Sequence, residues 1–482
     1  MNSKQRITIP FILLFLGLFL PSFAQSDTKI WTLPECVKYA LEHNLTVMNQ
    51  ELNVDISEVN AFQSRMNLLP SLNANGNYGY NWGRSINPED NAVTQEQQAN
   101  GYGGLSLGWT LFNGLTNLNT IKQSDANLMV REFDLEKSKN DIILAIVTYY
   151  TNVIFNKELL ENAKLQLAST TSQMVRTGKQ VDAGSLPKSS LLDMQAQVAS
   201  GELNVINAEN SVNLSILQLK QAMQISASQP MDIDIPAIEL SEADLADLNP
   251  QRVYETAMAT MPEVKSADKN IESSIHGIKV AQGSYYPRIS LSAGLNTNYS
   301  SIAADRGRFE KTGNILPRLI GVVESTGDKV ITSYDEIVPV PYSTGQQLND
   351  NYGKSLGIGI SIPIFNKWQV NSAVQRAKIN KSQADIIAEQ TRQGLRQTIE
   401  RAYNDVYSSG KAYQSSLKRV VAQEESFRAT KSRYESGGTN ATDYELAENN
   451  LFQSKSDLLR AKYDYIFKLK ILDFYQGKPI DF

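Results

Sequence analysis

Cysteine and histidine are almost missing from this chain of 482 residues, which holds one Cys and two His. A lone Cys36 offers no disulfide, and it lies too far past the N-terminal apolar run to be lipidated at a processed terminus. It reads as a small buried side chain on the first short helix. His43 and His276 cannot build a metal cluster without several well-placed carboxylates, so no metal and no other cofactor is expected. There is no Ser/His/Asp grouping and no H-E-x-x-H. The Gly357-Ile358-Gly359 run sits inside a strand pattern instead of opening a helix, which removes a phosphate loop. An enzyme is not expected.

Long apolar runs are missing as well. Only Ile7 to Leu20 is continuous, preceded by Lys4 and Arg6 and followed by Ser22-Phe23-Ala24. That is the three-part form of a cleaved secretory signal over residues 1–24. Its removal would take two basic and no acidic residues, leaving 44 Lys and Arg against 51 Asp and Glu, a formal charge near −7. A mildly acidic chain argues against nucleic acid as a partner.

Proline is absent between Pro88 and Pro187 and again between Pro363 and Pro479. Within those gaps Asn117 to Thr177 and Trp368 to Glu435 carry apolar residues at helical spacing, as in Ile142, Ile146, Tyr149 and Val153, or Leu395, Ile399, Ala402 and Val406. Each predicts a single helix of roughly 90 to 100 Å, far longer than a globular core needs. Both end at glycine turns, Asp182-Ala183-Gly184-Ser185-Leu186-Pro187 and Glu435-Ser436-Gly437-Gly438-Thr439. The returning helices show strict sevens, Leu191, Val198, Val205, Val212 and Leu219 in one, and Tyr444, Leu451, Leu458, Tyr465 and Leu472 in the other. Such spacing marks a coiled-coil seam.

What the chain has in plenty is alternation. In Ser355 to Phe365 every second residue, Leu356, Ile358, Ile360, Ile362 and Ile364, is aliphatic, and the residues between are Ser or Gly as far as Ser361. Three relatives share the pattern: Ser71 to Trp82, Leu105 to Leu111, and Arg288 to Asn296. A strand greasy on one side and small and polar on the other suits the wall of a membrane barrel. Tyr78, Tyr80, Trp82, Trp109 and Tyr299 near strand ends would suit its aromatic girdle.

The chain also repeats. Ala40 to Val47 aligns with Ala257 to Val264 and Leu69-Pro70 with Tyr286-Pro287 at an offset of 217, while Phe112-Asn113 aligns with Phe365-Asn366 and Ala183-Gly184 with Ser436-Gly437 at 253. An insertion of 36 between Tyr299 and Tyr352 accounts for the change. The expected organisation is a first repeat over 25–224 (strands about 71–82 and 103–112, helical hairpin 116–223), a connector at 225–250, and a second repeat over 251–482 (strands about 288–299 and 354–364, helical hairpin 367–475). One short strand is expected at Met231 to Ile235. The polar stretches Gly83 to Gly101 and Ser300 to Asn351 are expected as loops, the longer one mobile at the surface.

Four membrane strands cannot close a barrel, and an open edge in lipid leaves backbone groups unpaired. Two chains would supply eight strands and three would supply twelve. Side chains fill an eight-stranded interior, whereas twelve strands with small inward faces leave room for a channel.

The order of signal, helix, strand pair ending Thr110-Leu111-Phe112-Asn113-Gly114, long helix, Gly turn and heptad helix recurs with Ile362-Pro363-Ile364-Phe365-Asn366. This order, over essentially the whole mature chain, resembles the outer-membrane efflux proteins of the TolC type. The resemblance implies a mainly α fold with a membrane β-barrel portion, a homotrimer with 12 strands and 12 helices, and a tunnel through the periplasm. Its place would be the outer membrane, in contact with outer-membrane lipid. It would passively conduct substrates outward after docking with a periplasmic adaptor protein and an inner-membrane transporter. Docking would fall on the turns Gly184, Ser185, Leu186, Gly437, Gly438 and Thr439, which form the end that opens and closes.

The family's gate tyrosine corresponds to Tyr434. Its acidic partner falls at Ser190 and the nearby basic residue at Thr439, so the ionic latch is not reproduced. Of two constriction aspartates Asp443 matches the first, and Leu446 replaces the second. The expectation is a closed end held by packing and neutral hydrogen bonds such as Tyr434 to Ser190, with Asp443, helped by Glu445 or Asp193, giving the mouth a negative field. The rival is a periplasmic coiled-coil adaptor or scaffold, which should have one hairpin and several compact β domains. The cargo is not encoded.

Overall fold

The computed structural model describes residues 29–86, 93–94, 97–236 and 249–478. The signal at 1–24, the centre of the connector and part of the Gly83 to Gly101 loop lie outside the described residues. In chain order the elements are β1 (Ile30–Trp31), α1 (Leu33–His43), α2 (Leu45–Met66), β2 (Ser71–Asn81), β3 (Ser85–Ile86), β4 (Val93–Thr94), β5 (Gln98–Asn113), α3 (Thr116–Asp182), α4 (Lys188–Ala222) and β6 (Asp232–Ile233). Then follow α5 (Pro250–Thr260), α6 (Pro262–Gly283), β7 (Arg288–Ser300), α7 (Ser301–Arg306), β8 (Arg308–Val322), β9 (Lys329–Val340), α8 (Thr344–Asp350), β10 (Gly353–Ser361), α9 (Gln369–Glu435) and α10 (Ala441–Tyr475).

Local chemistry sets the helix ends. Thr32 and Glu35 form a capping box at α1, and Asn44 accepts from the N–H groups of Thr46 and Val47 to start α2. Asn249 caps α5, whose first residue is Pro250, and α6 opens on Pro262, where a missing N–H costs nothing. The helices come in pairs of equal length: α1 and α5 have 11 residues, α2 and α6 have 22, α3 and α9 have 67, and α4 and α10 have 35. At 1.5 Å per residue the longest reach about 100 Å. No helix among the described residues is both long and apolar enough to cross a membrane.

Four strands form one antiparallel sheet in the order β10-β7-β5-β2. Its register places Ile358 opposite Leu291 and Leu291 opposite Trp109, and places Leu356, Ala293, Leu107 and Leu72 in the next row on the same face. The rows between are Gly357, Ser292, Gly108 and Ser71, then Ser355, Gly294, Ser106 and Asn73. One face is therefore aliphatic through all four strands and the other is small and polar. Leu356, Ile358 and Ile360 are 77, 67 and 64% exposed, so none of the described residues covers the aliphatic side there.

Strand ends depart from expectation for physical reasons. β10 stops at Ser361 because Pro363 has no N–H to give a ladder. β5 begins at Gln98, five residues early, since Gly101, Gly103 and Gly104 hide its alternation. Gly101 lies between Tyr78 and Tyr299, whose rings stack at 6.3 Å, and a Cβ there would sit 3.3 Å from the Tyr78 ring. Tyr80 and Trp82 continue that aromatic group at one end of the sheet. Trp109 stands toward the other end, its indole N–H donating to Leu68 O at 2.7 Å.

The stretch Ser300 to Asn351 is no irregular loop. It folds as α7, a long β8–β9 ribbon and α8; bulges between Lys311 and Ile315 and between Leu319 and Gly321 break the alternation that would have announced it. The connector's short strand is only β6, paired parallel with β1.

Around the long helices α2 packs on α3, α3 on α6 and α6 on α9, while farther along α4 packs on α3, α3 on α10 and α10 on α9. One apolar core joins Cys36 and Ala40 of α1 to Ile146, Tyr150 and Ile154 of α3, Leu219 of α4, and Ile225, Met231 and Ile233 of the connector. Tyr150 Oη donates to Asp234 O at 2.7 Å, tying the connector down. The second core joins Val253 and Ala257 of α5 to Leu395, Ile399 and Val406 of α9 and Leu472 of α10. Of the ten heptad residues, Val212, Leu219, Tyr444, Leu451, Tyr465 and Leu472 are buried, while Leu191, Val198, Val205 and Leu458 are half-buried, so the seam packs most tightly away from the reversal in the first hairpin.

Candidate functional site

Both helical hairpins reverse through a left-handed glycine. After α3, Gly184 has φ +76 and the N–H groups of Ser185 and Leu186 return to Gln180 O at 2.8 and 3.3 Å. After α9, Gly437 has φ +77 and Gly438 N–H donates to Arg433 O at 2.7 Å. A Cβ on Gly184 or Gly437 would meet nothing within 4 Å, so glycine is required by the backbone angle and not by crowding.

A cleft of about 540 Å³ opens between the two reversals. Leu186, Ser190, Asp193, Tyr434, Gly437, Thr439 and Glu445 line it, with Gln180 and Asn440. Gly184, Ser185 and Gly438 lie beside it on the exposed turns. Asp443 lies in the first turn of α10. Its N–H donates to the capping Asn440 side chain and its Oδ2 accepts from Thr439 Oγ1, both at 2.8 Å. Thr439 thus holds this carboxylate through a bond from a neutral hydroxyl. Leu446 is 60% exposed.

Tyr434 does not bond to Ser190. Its hydroxyl accepts from Gln173 Nε2 at 2.9 Å, and its ring packs on Tyr444 with centroids 4.9 Å apart. This bond is one rung of a polar seam between α3 and the second hairpin that sequence reasoning missed. Tyr463 donates to Glu158 at 2.6 Å, Asn162 to Ser456 at 2.8 Å, Gln166 to Asn449 at 3.0 Å, and Ser169 to Glu448. Arg176 and Glu435 close it with an ion pair at 3.4 Å. That pair is half exposed and contributes about 0–1 kcal/mol. The signal was present in the helical spacing of Glu158, Asn162, Gln166, Ser169 and Gln173, but their partners are more than 250 residues away.

Glu448 is 4% exposed, and burial raises its carboxyl above the ordinary value against the opposing pull of Ser169, Lys431 and Tyr444. Glu445 is also raised, first by burial and then by the charges of Asp193 and Glu448. Burial next to Glu448 pushes Tyr444 up to about 12. A raised folded-state carboxyl adds stability that is full below its unfolded value, near 4.5, and is lost as pH climbs through the folded value. The seam should therefore tighten in acid. Chemical denaturation of the purified protein should show a stability gain at pH 4.5 over pH 7.5 that Glu448→Gln flattens, the variant being the more stable of the two at pH 7.5. An unaltered pH dependence in Glu448→Gln would place the titration elsewhere.

Known proteins resemble the chain throughout. The family described as "Outer membrane efflux protein" matches residues 36–223 and 253–477. Outer membrane protein TolC of Escherichia coli is 20% identical over 94% of this chain and 83% of its own length. The alkaline protease secretion protein AprF of Pseudomonas aeruginosa is 21% identical over 86% and 77%. Among solved structures, the outer membrane protein VceC of Vibrio cholerae superposes with a TM-score of 0.69 at 15% identity, covering 93% of this chain and 97% of that one. The CmeC outer membrane channel of Campylobacter jejuni gives 0.69 at 15% identity, with 98% and 94% covered. With a family match across both halves, two hairpins and one four-stranded sheet, the chain belongs to the outer membrane efflux protein family, a family of outer-membrane channels and not of enzymes.

Proposed function

We propose that three copies of this chain associate head to tail into one conduit, a barrel of twelve strands in the outer membrane continued by a tube of twelve helices in the periplasm. Each copy supplies two repeats, 25–224 and 251–482, joined by the connector. The observation that carries this reading is the sheet itself: β2 and β10 both have an unpaired outer edge, and one face is aliphatic across all four strands. Such a sheet is unsatisfied in lipid until a neighbour's β2 meets its β10.

The helices support the same closure. α2, next to one edge, exposes Leu45, Met48, Leu52, Ile56, Val59 and Phe62 at three- and four-residue spacing, and α9, next to the other, exposes Ile379, Ile386 and Ile387. Two apolar flanks at opposite ends of the packing order make a heterologous interface, which closes as a ring.

The conduit passes substrates outward without chemistry of its own. The two turns, with Gly184, Ser185, Leu186, Gly437, Gly438 and Thr439, dock a periplasmic adaptor and, through it, an inner-membrane transporter. Tyr434, Ser190, Asp193 and Glu445 form the constricting cleft, held shut by the α3 seam, and Asp443 gives its mouth a negative field.

Two measurements test this. Outer-membrane fractions run on gels without heating should show a stable trimer that heating converts to monomer, and a lone soluble particle would end the proposal. In planar bilayers Asp443→Asn keeps the oxygen that accepts from Thr439 and loses the charge. Cation over anion preference should fall by roughly an order of magnitude. Unchanged selectivity and unchanged block by divalent cations would remove Asp443 from the pore mouth.

A further inference from the structure

Beyond β7 the chain leaves the four-stranded sheet and builds a separate one from β8 and β9, at the end away from the long helices. Cross-strand register fixes its faces. Phe309 opposes Pro339, Lys311 opposes Ile337, Ile315 opposes Asp335, and Leu319 opposes Ile331, all on one side. There Phe309, Ile315, Leu319, Ile331 and Ile337 are 56, 69, 52, 62 and 55% exposed.

The opposite side is mixed: Glu310 opposes Val338 and Leu316 opposes Tyr334, so it exposes fewer large aliphatics, and several of its polar groups are paired. Arg308 pairs with Glu310 and Asp350, and Thr312 and Asn314 donate to Glu336 at 2.8 and 2.9 Å. A two-stranded ribbon is marginal in water by itself, and an uncovered aliphatic face of this extent marks a contact surface.

We infer that the ribbon's apolar side is covered by the ribbons of the neighbouring copies, the three joining into a collar above the outer mouth of the conduit. This rests on the head-to-tail trimer proposed above. In that ring, four strands at about 4.8 Å separate equivalent ribbon roots by about 20 Å, while the 15 residues of β8 reach about 50 Å, so adjacent ribbons meet easily.

Charge favours the same occupant. Residues 308–336 carry four basic and five acidic side chains, a near balance that lets identical ribbons approach without repulsion. Lipid is the poorer cover, because the Lys311–Asp335 ion pair at 2.5 Å lies on the apolar side, where hydrocarbon would strip its hydration.

The test uses the full-length assembly with a nitroxide on Ser325→Cys, in the turn between β8 and β9. Cys36 does not compete for the label, since it is fully buried and burial pushes its thiol up to about 12. A collar gives one narrow distance between labels of different copies. Adding Leu319→Asp and Ile331→Asp should broaden that distribution at least twofold in width while the trimer survives on unheated gels.

A broad distribution in the undisturbed ribbon of an intact trimer overturns the collar alone. So does a narrow distribution that ignores the two charges. A nitroxide on Ile331→Cys in nanodiscs that relaxes with lipid-dissolved oxygen more than with a water-soluble nickel complex also overturns it, in favour of lipid. A chain that runs only as monomer sinks the trimer, and the collar with it.

Discussion

Gly114→Ala is expected to remove the assembled protein from the outer membrane. Gly114 joins β5 to α3 with φ +66, and a Cβ there would lie 2.1 Å from the carbonyl oxygen of Gly283 and 2.8 Å from Tyr286 Cβ. Neither backbone can yield without moving α6 away from α3, against which it packs along its length. A left-handed alanine costs about 1 kcal/mol by itself, and a backbone collision puts the total in the rare class of about 4–5 kcal/mol or more. Gly184→Ala makes the matched control, with a similar φ of +76 and open space around it, and should cost only about 1 kcal/mol. Immunoblots of unheated outer-membrane fractions compare the two. Equal trimer in both would show that the junction relaxes around a side chain.

The second large effect belongs to the sheet's aliphatic face. Ile358 sits in a row with Leu291 and Trp109, and Ile358→Arg would set a charge against hydrocarbon at about 2–4 kcal/mol per copy near the bilayer midplane, incurred three times in a trimer. Ser292, between Gly357 and Gly108 on the opposite face, offers the contrast. Ser292→Arg should assemble normally and instead lower single-channel conductance. If Ser292→Arg fails to assemble while Ile358→Arg behaves like the unaltered chain, the two faces have been assigned the wrong way round.

Much of this architecture is visible in the sequence because its causes are local and periodic. Alternation in Leu356 to Ile360 needs no knowledge of other strands, the sevens from Leu191 to Leu219 announce their own seam, and an unbroken gap in proline announces a rod. Gly184 and Gly437 are legible for a similar reason, since a helix that must reverse in a few residues needs a left-handed position.

What stayed hidden depends on distant neighbours. Nothing near Gly114 reveals that Gly283 presses on it, and the equivalent position in the second half is Lys367, left-handed at φ 53, so even the repeat conceals the constraint. The partner of Tyr434 could not be read either, because choosing Gln173 over Ser190 requires the relative height of two helices 261 residues apart in sequence. The β8–β9 ribbon escaped because two bulges and two prolines, Pro317 and Pro339, disguise its pleat.

The paired spans of 67 and 35 residues make the molecule a ruler. Adding one residue to a single rod would turn everything beyond it by about 100°, so the greasy stripe would swing off its mate and one reversal would hang below the other. Change of stature is tolerable only in whole heptads, inserted in both arms of both halves together, at about 10 Å for each seven. The reach from the outer membrane into the periplasm can thus be measured out by this chain only in coarse, synchronised steps.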